Sequence, residues 1–256
     1  MNAEFQRNLW LEAAPRRIAW AAVTLALIYG AAAALMRDNP YGVITALGGV
    51  GTVIFVVCAI FWGARATGNS VLAEIADRTW DFQRLSALDP WRMTWGKLFG
   101  ATSLAWLCAL TGLAFMFAAA VQRGEPGAGS TIVFMLALAL LAQGVSLAGA
   151  LIGVRKARAE GRTARAGQVL GGLIIGAVLL SWAAGSSGFQ RGAGLEGFAA
   201  LWSARGFTEW GGSFWPAAQF RAVAVALFAA WSVIGAWRLM RLELQMQNAP
   251  VVWPAF

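Results

Sequence analysis

Few residues in this chain are equipped for chemistry. Histidine is absent, which removes the commonest general acid–base group and the commonest metal ligand. Cys58 and Cys108 both sit inside apolar runs, where a thiol behaves as a small buried hydrophobe and implies no disulfide framework. These facts disfavour a zinc protease, a haem protein or a histidine-dependent hydrolase. No G-x-x-x-x-G-K-[ST] loop occurs; Gly96-Lys97 lacks the upstream glycine, so the chain has no such cradle for nucleotide phosphates. Charge with a pattern occurs in two places. Glu74, Asp77, Arg78, Thr79 and Asp81 lie close together in one polar stretch, and Glu196, Arg205 and Glu209 lie in a stretch rich in glycine and tryptophan. Thr102, Thr111, Gln143 and Ser146 are polar residues within apolar runs. They are candidates to line a cavity, or equally to hydrogen-bond between helices.

The elements that position these residues are membrane spans. Of 256 residues, 59% are hydrophobic and 12% charged, against about 45–50% and about 25% in a soluble domain. Mean hydropathy is +0.62. That leaves too little polar surface to cover a water-soluble globule, and a bilayer requires apolar stretches of about 20 residues folded as helices. Six such runs are legible, at about 18–36, 43–63, 98–121, 131–154, 168–187 and 218–240. The expected fold is all-α: a single polytopic transmembrane domain over 1–256. The first run is longer than a signal-peptide core of about 7–15 residues, so it reads as a retained helix.

Orientation follows from Lys and Arg. Net charge is +8, and the basic residues cluster on alternate loops. This excess is assigned to topology and not to nucleic acid. The heavier side carries Arg16, Arg17, Arg65, Lys97, Arg155, Lys156 and Arg241; the lighter side carries Arg37, Arg123 and Arg205. By the positive-inside rule both termini are expected in the cytoplasm, in a cell (inner) membrane. Trp20, Trp62, Trp95, Trp182, Trp215 and Trp237 fall near expected helix ends, where amphipathic rings favour the interface. Small residues recur four apart, as in Gly96/Gly100 and Gly149/Gly153, a spacing that brings helix backbones together within a bundle. The last residues, Pro250 to Phe256, read as a short surface anchor, the alternative being the entry to further apolar runs of a longer chain.

Between the second and third runs, Ser70 is an expected N-cap and Asp89-Pro90 an expected stop. Val71, Ile75, Phe82 and Leu85 share a stripe at helical period, while Glu74, Asp77 and Asp81 gather on another face. The spacing predicts an amphipathic helix at the cytoplasmic surface. The same segment resembles the cytoplasmic region of ABC-2 type permeases. The resemblance rests on an acidic residue with a threonine five positions on (Glu74, Thr79), leucines (Leu85, Leu88), Pro90, and a Gly-Lys pair opening the next helix (Gly96-Lys97). Chain length and the six-helix layout are similar too.

What the resemblance implies is a transporter subunit and not an enzyme. It would form the translocation pathway, carry no cofactor, and be driven by a separate ATP-binding cassette subunit that uses the ATP. A second permease subunit and membrane lipid would be its other partners. By the same resemblance the surface helix couples the two subunits, with Glu74, Asp77, Arg78, Thr79 and Asp81 at the contact. A polytopic enzyme acting on lipid at the outer interface is the alternative, with Glu196, Glu209 and Arg205 as acid–base and anion-binding groups. No paired-acid motif supports it.

Overall fold

The computed structural model describes residues 2–38, 40–77, 79–80, 89–125, 127–160 and 207–246. Helix α1 (Ala3–Glu12) precedes the first apolar run and has no counterpart in the sequence reading. Helix α2 (Pro15–Leu35) opens on a proline at its first turn, where a missing N–H costs nothing. The second rod is α3 (Pro40–Phe55), a π-helical stretch (Val56–Trp62) and α4 (Gly63–Ala76). The third is α5 (Pro90–Trp95), a second π-helical stretch (Gly96–Gly100) and α6 (Ser103–Gln122). Helix α7 (Ala128–Glu160) follows, then strands β1 (Phe207–Trp210) and β2 (Ser213–Pro216), then helix α8 (Ala217–Glu243). Five helices among the described residues are long and apolar enough to cross a membrane. Large apolar side chains on their outer faces, including Leu27, Leu107, Leu227 and Phe228, are exposed, as a bilayer solvent allows. Together these features mark a multi-pass membrane protein. The expected span at 168–187 lies outside the described residues.

Three features differ from the sequence reading. First, the second rod does not stop where hydropathy falls. Gly42–Ala76 is 35 residues long, about 50 Å of helix, well beyond a hydrocarbon core of about 30 Å. Ser70 therefore caps nothing; its hydroxyl donates to Thr67 O at 2.7 Å inside α4. Packing keeps the helix going. A Cβ on Gly68 would stand 2.8 Å from Ser146 Oγ of α7. Second, Asp89-Pro90 begins a helix: Asp89 is the N-cap of α5, its carboxylate accepting from Arg92 N at 3.2 Å. Third, the chain is not purely helical. β1 and β2 pair antiparallel through the two-residue turn Gly211-Gly212, whose φ values of 60° and 75° suit glycine in a hairpin turn. The basic stretch from Arg155 likewise begins as helix, since α7 runs to Glu160.

Close approach organises the bundle. Gly51 and Gly112 face each other between the second and third rods, and a Cβ on either would meet the other's backbone. α7 and α8 lie side by side and run parallel. Gly127 meets Ala218 at one end, Gly144 meets Ser232 midway, and Arg155 reaches Glu243 at 3.6 Å at the other. Two apolar clusters stack along the bundle, one around Phe55, Ile60, Leu113 and Phe134, the other around Val71, Trp80, Met93, Leu147 and Met240.

Candidate functional site

The site is built where α1, the end of α4 and the start of the third rod converge. Asn2 caps α1 by accepting from Phe5 N, and its amide donates to Arg92 O at 2.6 Å, fixing α1 to α5. Gly96 and Gly100 form the seat for α1. A Cβ on Gly96 would fall 2.6 Å from Glu4 Cγ, and one on Gly100 would fall 2.9 Å from Asn8 Cβ. That pair of small residues therefore packs within the chain. Glu4 and Asn8, one turn apart, consequently point inward, and Asn8 Nδ2 donates to Glu4 Oε1 at 3.0 Å and to Gly96 O at 3.3 Å.

Lys97 stands next to this seat and is fully buried. Its ammonium donates to Glu74 Oε2 and lies 3.5 Å from Glu4 Oε1. Arg7 closes the ring: Nη2 meets Glu74 Oε1 at 3.0 Å and Nη1 meets Glu4 Oε2 at 3.5 Å. Two carboxylates and two cations thus balance in a space where an unpaired charge would be costly. The indole of Trp80 lies 5.3 Å from the Lys97 nitrogen, adding a cation–π contact. Thr79 ends α4 by directing both its N–H (2.9 Å) and its hydroxyl (3.2 Å) to Glu74 O. Asp77 and Thr79 are exposed. A polar cavity of about 430 Å³ opens beside the cluster, reaching Arg7, Arg65, Asn69, Glu74, Asp77 and Thr79.

The geometry sorts the sequence-derived coupling residues. Glu74 is only 5% exposed and its carboxylate is held inside the protein, whereas Asp77 and Thr79 face outward. Arg78 and Asp81 lie outside the described residues. Sequence reasoning missed Glu4, Arg7 and Asn8. The available signal was the i,i+4 pair Glu4/Asn8 together with a Gly96-x-x-x-Gly100 face that could seat it.

The four polar residues within the apolar runs do not converge on one point. Gln143 is fully buried between rods: Nε2 donates to Ala59 O at 2.8 Å, and Oε1 accepts from Trp106 Nε1 at 3.3 Å. The π-helical register explains the first bond. Gly63 N–H bonds Cys58 O, five residues back, so Ala59 O has capacity for an outside donor. Ser146, one turn below, donates to Ala64 O at 2.6 Å. Thr102 is buried and bonds Leu98 O, and Thr111 donates to Cys108 O at 2.7 Å with Tyr29 Oη 3.5 Å away. Glu209 is exposed on β1, and Glu196 and Arg205 lie outside the described residues. Among the described residues no group of three or more His, Cys, Asp or Glu side chains could hold a metal ion. In the comparisons with known proteins, no family model, curated protein or solved structure matches this chain.

Proposed function

We propose that this chain is the membrane subunit of an ABC-2-like transporter, forming the translocation pathway and driven by a separate ATP-binding cassette subunit. One observation supports the reading above the rest. The polar segment that resembles the permease pattern is strung between Glu74 and Lys97, and these two residues are joined to each other and to α1 by the buried ion cluster. A segment that transmits force needs such a base, because displacement at Asp77 or Thr79 is then passed to the second and third rods together. On this reading Glu74 and Lys97 position the coupling segment, and the ATPase contact falls to Asp77, Thr79 and their neighbours Arg78 and Asp81.

The six-span count belongs to the same proposal. α7 and α8 run parallel, so the chain leaves one at the end where Arg155 lies and re-enters the other at the opposite end. One further crossing between them, the expected 168–187 span, satisfies that course. Both termini then lie on the strongly basic side, the cytoplasmic side of an inner membrane. A second permease subunit completes the pathway.

The test is affinity purification from native membranes in mild detergent, followed by photolabelling with azido-ATP. A distinct nucleotide-binding protein is expected to co-purify and take the label. Labelling of this chain itself, or purification of this chain alone, would overturn the proposal.

A further inference from the structure

A lateral groove opens between α2 and the second rod, with a volume of about 940 Å³ and almost entirely apolar walls. It runs from Arg17 and Trp20 to Ile28 on α2, and from Trp62 to Gly49 on the second rod. The twelve helical residues from Arg17 to Ile28 are eleven rises, about 16 Å, half of a hydrocarbon core about 30 Å thick. The groove therefore has the depth of one leaflet. Two tryptophans, Trp20 and Trp62, line the end nearest Arg17, as at a membrane interface. Its wall at Gly49 lacks a side chain, and a Cβ there would meet nothing within 4 Å.

At that same end the apolar groove meets the polar cavity beside the ion cluster. Trp62 borders both spaces. So does the Glu12–Arg17 ion pair, 3.0 Å long, with Arg17 on the groove and Glu12 on the cavity. Arg65 lines the cavity as well. An apolar slot one leaflet deep, ending in a chamber with both cations and acids, has the polarity profile of a zwitterionic lipid. A second protein helix would bring no phosphate to Arg17 and Arg65, and it would leave the chamber unfilled.

We propose that this groove and chamber form a binding site for one glycerophospholipid. The acyl chains lie along the groove, the phosphate faces Arg17 and Arg65, and an ammonium headgroup faces Glu12 and Asp77. The site does not depend on the transporter reading; it requires only that α2 and the second rod sit in a bilayer.

Native mass spectrometry of the purified chain, titrated with phosphatidylethanolamine or with diacylglycerol of the same acyl chains, reads the site directly. The expected result is one phosphatidylethanolamine per chain, with diacylglycerol bound about tenfold more weakly. Gly49→Leu projects a side chain into the groove from a position where its Cβ meets nothing within 4 Å, so it should leave the melting temperature unchanged and lower phospholipid retention about tenfold. Arg17→Gln with Arg65→Gln should narrow the difference between the two lipids. Equal binding of both lipids by the wild type would overturn the proposal. So would unchanged retention by Gly49→Leu, or a Gly49→Leu chain that keeps its lipid and loses self-association instead.

Discussion

Lys97 and Gln143 are both fully buried polar side chains between helices, yet the centres around them are built differently. At Lys97 four side chains from three parts of the chain meet: Glu4 and Arg7 from α1, Glu74 from the end of α4, and Lys97 itself from the start of the third rod. At Gln143 a single side chain answers one backbone carbonyl and one indole N–H. The first holds formal charges at the end of the bundle, where an amphipathic α1 covers them. The second is neutral and lies within the spans, where an amide is tolerable because the π-helical register leaves Ala59 O able to accept it. The contrast teaches where this chain places free energy that depends on several elements at once. It does so at the end where α1, α4 and the start of the third rod converge.

Breaking the charged centre should cost most. Lys97→Met leaves Glu4 and Glu74 facing each other with only the half-exposed Arg7 between them, and removal of one partner from a buried ion network costs about 3–5 kcal/mol. Unfolding in a detergent titration should show that loss, and limited proteolysis should cut between α1 and α2 as α1 leaves its glycine seat. A loss below about 1 kcal/mol would mean the cluster is hydrated and the exposed-pair figures apply. Gln143→Leu should cost less. Ala59 O and Trp106 Nε1 lose their partner, but interhelical hydrogen bonds in a bilayer average only about 0.6 kcal/mol, and an unsatisfied buried group costs about 1–3 kcal/mol. A loss of about 1 kcal/mol by the same titration is expected, and one equal to that of Lys97→Met would erase the comparison.

How much of this was legible depended on whether the signal was local. The spans announce themselves because a hydrocarbon core demands long uninterrupted apolar runs, and Ile18 to Met36 or Leu98 to Val121 could be little else. Helix α1 did not, because ten residues carrying Glu4, Arg7, Asn8 and Glu12 look like any polar terminus until the Gly96–Gly100 seat is known. Ser70 reads as an N-cap and Asp89-Pro90 as a helix stop from sequence alone. Tertiary packing of Gly68 against Ser146 overrode the first, and the second caps the helix that follows it. Gln143 and Ser146 were visible as polar residues in apolar surroundings, but the carbonyls they serve, Ala59 O in the π-helical stretch and Ala64 O in α4, are set by packing between rods that has no local sequence signature. The Gly211-Gly212 turn was hidden among many glycines and aromatic residues.

Asp77 sits one turn beyond Glu74 but outside the cluster, so its change should have the smallest effect on stability. The charge reversal Asp77→Arg should lower stability by no more than about 0.5 kcal/mol, as for surface substitutions. Its effect on the assembly should be large. With Glu74 and Lys97 intact, the decisive measurement is the amount of ATP-binding subunit retained by wild-type and reversed chains purified side by side. The account predicts a folded, membrane-inserted variant that retains about a tenth or less of the partner. Full retention by a folded variant would contradict it, because the exposed rim of the ion cluster would then not be where the driving subunit binds.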